Sequence, residues 1–169
     1  MIREKTHVEG VKSTAAVAGH PMHPMLIPFP IAFLTGALVT DVIYWLNDVP
    51  FWAEMSFWLI VGGVVMGALA AVVGLIDFLT IARVRAHTAG WLHAGLNAGA
   101  LVLALLNLWL RWGARADGVL PWGVVLSVIT AVLLGVSGWY GGELAYRHKV
   151  GVIDEVDVSP DGYPRAGRH

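Results

Sequence analysis

The chain has 169 residues, 57% of them hydrophobic and only 14% charged, with a mean hydropathy of +0.67. That is too apolar for an ordinary soluble domain of this length and reads as an integral membrane protein. The absence of cysteine excludes disulfides, thiolate metal sites, iron–sulfur ligation and covalent heme attachment, so a bound group must use nitrogen or oxygen ligands. A net charge of −1, with no basic stripe, excludes nucleic acid as a partner.

Residues 1–19 form a polar N-terminal segment without the apolar core of a cleavable signal peptide, so the first membrane segment is expected to stay. The stretch GHPMHPMLIPFP, residues 19–30, then sets a histidine before a proline twice. A following proline pushes each histidine towards an extended or polyproline conformation. His20 and His23 would share a face of such a helix, about 9 Å apart at about 3.1 Å per residue. That is too far for both to ligate one ion, unless the chain turns between them.

Four apolar segments follow: residues 27–46, interrupted by Asp41, then 57–76, 88–110 and 121–142. Each is about the 20 residues a spanning helix needs. Pro28 and Pro30 open the first, where missing amide donors cost least. The eight tryptophans lie near segment ends, as interfacial anchors do. Short links predict an all-α, four-helix up-down-up-down transmembrane bundle over residues 20–148. Residues 149–169 read as a flexible C-terminal tail.

Lys and Arg divide unevenly between the two sides. Arg3, Lys5, Lys12, Arg83, Arg85, Arg147, Lys149, Arg165 and Arg168 share the side of the termini, against Arg111 and Arg115 opposite. The positive-inside rule predicts that the termini are cytoplasmic. All seven histidines fall on that same side.

Helical spacing gives three faces of small or polar residues. They are Gly63, Gly67, Ala70, Gly74 and Asp77 on the second span; Gly90, His93, Asn97, Ala100, Ala104 and Asn107 on the third; and Ala131, Gly135, Gly138, Gly142 and Ala145 on the fourth. Small residues let helices pack closely, and they also leave room for a flat cofactor. At 1.5 Å per residue, His93 lies just inside the hydrocarbon, Asp77 and Glu143 near its edge, and His20, His23, His87 and His148 in the headgroup layer. In the outer half, a hydrogen bond between Asp41 and Asn107 would account for both.

GHPMHPMLIPFPIAFLTGALVTD, GLIDFL, HAGLN and SGWYGGELAYRHKVGV, in this order, resemble the small prokaryotic membrane proteins of the domain of unknown function 2231 (DUF2231) family, over residues 19–152. The family pattern matches at His20, His23, Asp77, His93, Asn97, Glu143 and His148. The resemblance implies a bacterial cytoplasmic membrane, and since some relatives carry Rieske iron–sulfur or cytochrome-like domains it also implies redox work, here with a separate redox protein.

Four functions compete. A b-type heme suits a cysteine-free bundle whose imidazoles supply axial ligands. His93 would be one ligand and His23 or His20 the other, with His148 in reserve, while Asp77, Asn97 and Glu143 fix imidazole tautomers. Electrons would pass between a membrane quinone and the partner. A non-heme site of His20, His23, His93, His148, Asp77 and Glu143 would suit iron, zinc or manganese. The remaining two are a proton or ion path, which needs polar groups at the midplane and beyond, and a cofactor-free structural or partner-binding subunit.

Overall fold

The computed structural model of the protein describes residues 9–152. His7, His169 and most of the expected tail lie outside the described residues. Two short strands, β1 (Ala16–Val17) and β2 (His20–Pro21), pair antiparallel across the turn Ala18–Gly19. Six helices follow: α1 (Met22–Leu26), α2 (Pro28–Asn47), α3 (Pro50–Thr80), α4 (Ala82–Ala86), α5 (Thr88–Arg111) and α6 (Trp122–Tyr146).

Four segments are long and apolar enough to cross a membrane: Met22–Asn47, Pro50–Thr80, Thr88–Arg111 and Trp122–Tyr146. The expected spans are all present, and the second is longer than its apolar run suggested. It starts at Pro50, whose fixed φ suits the first turn of a helix, and it ends where Ile81 turns extended. Asp48, in the left-handed region at φ 53°, ends α2 and leaves only a two-residue link.

The helices close into a ring: α2 packs on α3, α3 on α5, α5 on α6, and α6 back on α2. At one end the last turns of α2 and α5 meet the first turns of α3 and α6 through Asp41, Ser56, Arg111 and Ser127. Apolar tails of lipid solvate side chains as well as a neighbouring helix does, so close packing must hold such a bundle together. Gly63 serves this purpose, since a Cβ there would lie 2.5 Å from the Leu34 side chain.

The opposite end, which carries the histidines, is covered by the chain's own flanks. Val11 bridges to Val150, with Val11 N–H donating to Lys149 O at 2.9 Å and Gly151 N–H to Val11 O at 2.7 Å. Both valines pack on Ile81, Val84, Ala89 and Leu144.

Two expectations are corrected. The HPMHP stretch is extended only at His20–Pro21: after β2 the chain turns into α1, so His23 is helical and belongs to the first spanning segment. The inward face of the fourth span is also different. Gly123, Ser127, Thr130, Ser137 and Leu144 are buried on α6, whereas Gly135 and Gly138 face outward with nothing within 4 Å of an added Cβ. Hydroxyls that bond across the bundle, not the small-residue pattern, choose the face.

Candidate functional site

The turn into α1 carries His23 inward to α3, while His20 stays exposed on β2 with Nδ1 bonded to Ala18 O at 3.0 Å. His23 Nδ1 lies 3.0 Å from Ala70 O, and His93 Nδ1 lies 2.9 Å from Ser137 O. A carbonyl only accepts, so each Nδ1 carries a proton and each Nε2 of the neutral ring presents a lone pair. The two rings stand 5.9 Å apart between centroids, nearly perpendicular at 84°.

The same local device serves both imidazoles. Gly74 follows Ala70 by four residues, and Gly141 follows Ser137 by four. A Cβ on Gly74 would lie 2.8 Å from the His23 ring, and one on Gly141 would lie 2.9 Å from the His93 ring. Each glycine therefore clears the approach to the carbonyl one turn before it. Part of the room that the glycine faces offered is filled by the imidazoles themselves.

Asn97 and Ser137 complete the surroundings of His93. Asn97 Nδ2 lies 3.2 Å from His93 Nε2, 2.9 Å from His93 O and 2.6 Å from Ser137 Oγ. Ser137 is buried and was missed in the sequence. Its signal was the glycine four residues later.

The other candidate residues do not converge on this pair. Asp77 binds the N-terminal segment: it accepts from Ser13 Oγ at 2.7 Å and from Thr14 N, Thr14 Oγ1 and Ala15 N at 2.9 Å each. Glu143 pairs with Arg147 at 3.4 Å, one turn along the same helix. His148 stacks on His87, with centroids 3.7 Å apart and planes at 21°. Burial pushes the His148 imidazole pKa down, and the neighbouring His87 adds to the shift. Among the described residues, no group of three or more His, Asp or Glu side chains is gathered to hold a metal ion.

At the far end lies a second polar centre. Arg111 is fully buried and grips Asp41 through two bonds, Nη1 to Oδ1 at 2.6 Å and Nη2 to Oδ2 at 2.9 Å. Its Nε donates to Asn107 Oδ1 at 2.9 Å and its Nη1 to Ser56 Oγ at 2.7 Å. Ser127 Oγ donates to Asp41 Oδ2 at 2.6 Å and accepts from Asn107 Nδ2 at 2.9 Å. Arg111 and Ser127 thus stand between Asp41 and Asn107, in place of the direct bond expected. The sequence marked Arg111 as a loop charge, yet it continues the third-span face one turn beyond Asn107. Gly123 makes way for it, since a Cβ there would meet Nη2 at 2.7 Å.

No curated protein and no solved structure is matched by the chain. A family model described as "Predicted membrane protein (DUF2231)" matches residues 19–154, a stretch that holds both polar centres and all four spans. The chain is therefore a member of the DUF2231 family of predicted membrane proteins.

Proposed function

We propose that this membrane protein binds one b-type heme through His23 and His93 and passes single electrons between a membrane quinone and a separate redox protein. The observation that carries this reading is the pair itself: two imidazoles from different spanning segments, each spending Nδ1 on a backbone carbonyl, with His93 Nε2 engaged only by the Asn97 amide at 3.2 Å, a bond that a ligand would displace. Such a carbonyl bond fixes tautomer and ring orientation in ligating histidines and raises their basicity. At metal–nitrogen distances of about 2 Å, two imidazoles on opposite sides of one ion would have centroids about 6 Å apart, and the rings here are 5.9 Å apart. A heme iron takes its four equatorial nitrogens from the porphyrin and asks the protein for two. The donor set fits that demand better than it fits a non-heme ion. The porphyrin itself supplies reversible one-electron chemistry; the protein's part is to hold the axial imidazoles and exclude water.

The sequence set His23 in the headgroup layer and His93 deeper, but the two rings are 5.9 Å apart and so lie at similar depth. Charge supports the orientation. With Arg111 committed to an internal ion pair, Arg115 is left against nine Lys and Arg on the histidine side. The termini and the exchange face are then cytoplasmic.

The test is absorbance of the purified protein, expressed with ample heme precursor. A Soret band that shifts on dithionite reduction, with one heme b per chain by pyridine hemochrome, is expected. His23→Ala and His93→Ala abolish it, whereas His20→Ala and His148→Ala keep it. A colourless wild-type protein, or an unchanged band in His93→Ala, overturns the reading.

A further inference from the structure

Next to the Asp41–Arg111 pair, a cavity of about 10 Å³ lies between the helices, lined by Leu34, Ala37, Ile60, Ala104, Asn107, Ser127 and Thr130. All seven are buried. Thr130 is only 3% exposed, and its hydroxyl has no hydrogen-bond partner within the protein. A hydroxyl left unpaired in an apolar interior lowers stability. Threonines elsewhere in the bundle avoid that cost by bonding a carbonyl one turn back, as Thr35 does to Ile31 O at 2.6 Å. Thr130 makes no such bond, and it lines the cavity.

We infer that this cavity is a binding site for a single water molecule, which joins Thr130 to the polar network around Arg111. The volume is at the lower limit of what one water needs, about 10–15 Å³, and a buried water needs two to four polar partners. Three line the cavity. Asn107 Oδ1 accepts one bond, from Arg111 Nε, and has a second lone pair to offer. Both protons of Asn107 Nδ2 are already committed, to Gly123 O at 3.1 Å and to Ser127 Oγ. The amide is thereby fixed with its oxygen as the free acceptor. A water that donates to Asn107 Oδ1 and exchanges a bond with Thr130 Oγ1 satisfies both, and Ser127 Oγ stands by as a third partner. Leu34, Ala37, Ile60 and Ala104 close the remaining walls with apolar groups. At about 10 Å³ the site has room for a single water.

This inference is independent of heme binding and is tested separately, by a structure of the full chain at a resolution that shows buried waters, together with unfolding of two variants. Expected is density for one water within hydrogen-bond reach of Thr130 Oγ1 and Asn107 Oδ1. Thr130→Val, which keeps the shape and removes the hydroxyl, should lose that density and unfold about 2–4 °C lower. Thr130→Ser should keep both the water and the stability. The sign is diagnostic, because deleting a hydroxyl that has no partner relieves a cost, and a dry site predicts a valine variant at least as stable as wild type. That result, or a dry cavity with Thr130 turned back onto the Leu126 carbonyl, overturns the inference. Should Thr130→Val fail to fold, the wild-type density alone decides.

Discussion

The two polar centres of the bundle differ in how completely they satisfy themselves. Around Arg111, charges and hydroxyls from all four long helices bond one another, and Asp41, Ser56, Asn107 and Arg111 are at most 2% exposed. Around His23 and His93 the rings are only partly buried, and each bonds a backbone carbonyl through one nitrogen. Polar groups within a membrane must find partners. A centre whose charges are paired inside the protein acts as a lock on helix packing, whereas the imidazole centre holds no charge pair and engages His93 Nε2 only through the Asn97 amide. On the proposed function, the same bundle separates fastening from chemistry by end.

The sharpest way to break this contrast is at the lock. Arg111→Met leaves the Asp41 carboxylate buried without its counter-charge, and breaking a buried pair on one side costs about 3–5 kcal/mol. Thermal unfolding in detergent should show a large loss for Arg111→Met and for Asp41→Leu alone. The double variant should recover part of it, since neither charge then remains. Single variants as stable as wild type would mean that the network fastens nothing.

The ligand end is sharpened by glycine substitutions. Gly141→Ala places a methyl 2.9 Å from the His93 ring, and Gly74→Ala places one 2.8 Å from His23. Overpacking of this kind costs about 1–3 kcal/mol. It should also push each ring off its carbonyl, so that histidine NMR reports an altered tautomer balance and heme content falls. Gly138→Ala on the same helix meets open space and should stay within about 0.5 kcal/mol of wild type. Equal effects of Gly138→Ala and Gly141→Ala would remove the role given to the carbonyl-clearing glycines.

Much of this arrangement was legible beforehand, and the failures share one cause. Segment number, approximate bounds and the third-span face follow from hydropathy and helical period, which lipid enforces on every residue alike. The face from Gly90 to Asn107 was read in full, and stopping it one turn short of Arg111 hid the ion pair. The fourth-span face was misread because small residues can face either lipid or a partner helix, and only the hydroxyl partners of Ser127 and Ser137 settle which. The proline rule predicted an extended HPMHP, but it acts only on the residue before each proline. His20 obeys it in β2, while tertiary contacts, with the His23 bond to Ala70 O among them, draw Met22 and His23 into a helix. No local signal could have paired Asp77 with Ser13 and Thr14, more than 60 residues away.

That long-range pairing offers a smaller perturbation. Asp77→Ala removes four hydrogen bonds that hold residues 13–15 against α3. Each bond to a charged acceptor is worth about 1.5–3 kcal/mol in protected settings, less here because Thr14 is exposed. Exchange of the Thr14 and Ala15 amides should accelerate roughly tenfold or more, with global stability and heme content nearly unchanged. Loss of heme in this variant would instead place Asp77 in direct support of the imidazoles.

The smallest expected effect is a pH dependence at the flank. The His148 pKa is depressed from its ordinary value of about 6.5, first by burial and then by the stacked His87, with Arg147 and Arg83 adding and Glu143 opposing. The folded chain therefore takes up this proton at lower pH than the unfolded chain does. Below about pH 6.5 the unfolded state binds more protons, so acidification destabilises the fold, and above about pH 7 the contribution is flat. His148 also holds the flank in place, its carbonyl accepting from Arg83 Nη1 at 3.4 Å beside the Val11–Val150 bridge. Protonation should loosen that end before the lock at Arg111 responds. His148→Phe keeps a stacking ring without the titration. The wild-type melting temperature minus that of the variant should fall as pH drops from 7 to 5.5, by a degree or so (about 0.5 kcal/mol at most for a stack that is only part-buried). A difference that stays constant, or that grows towards acid, would show that the His87–His148 stack carries no such proton.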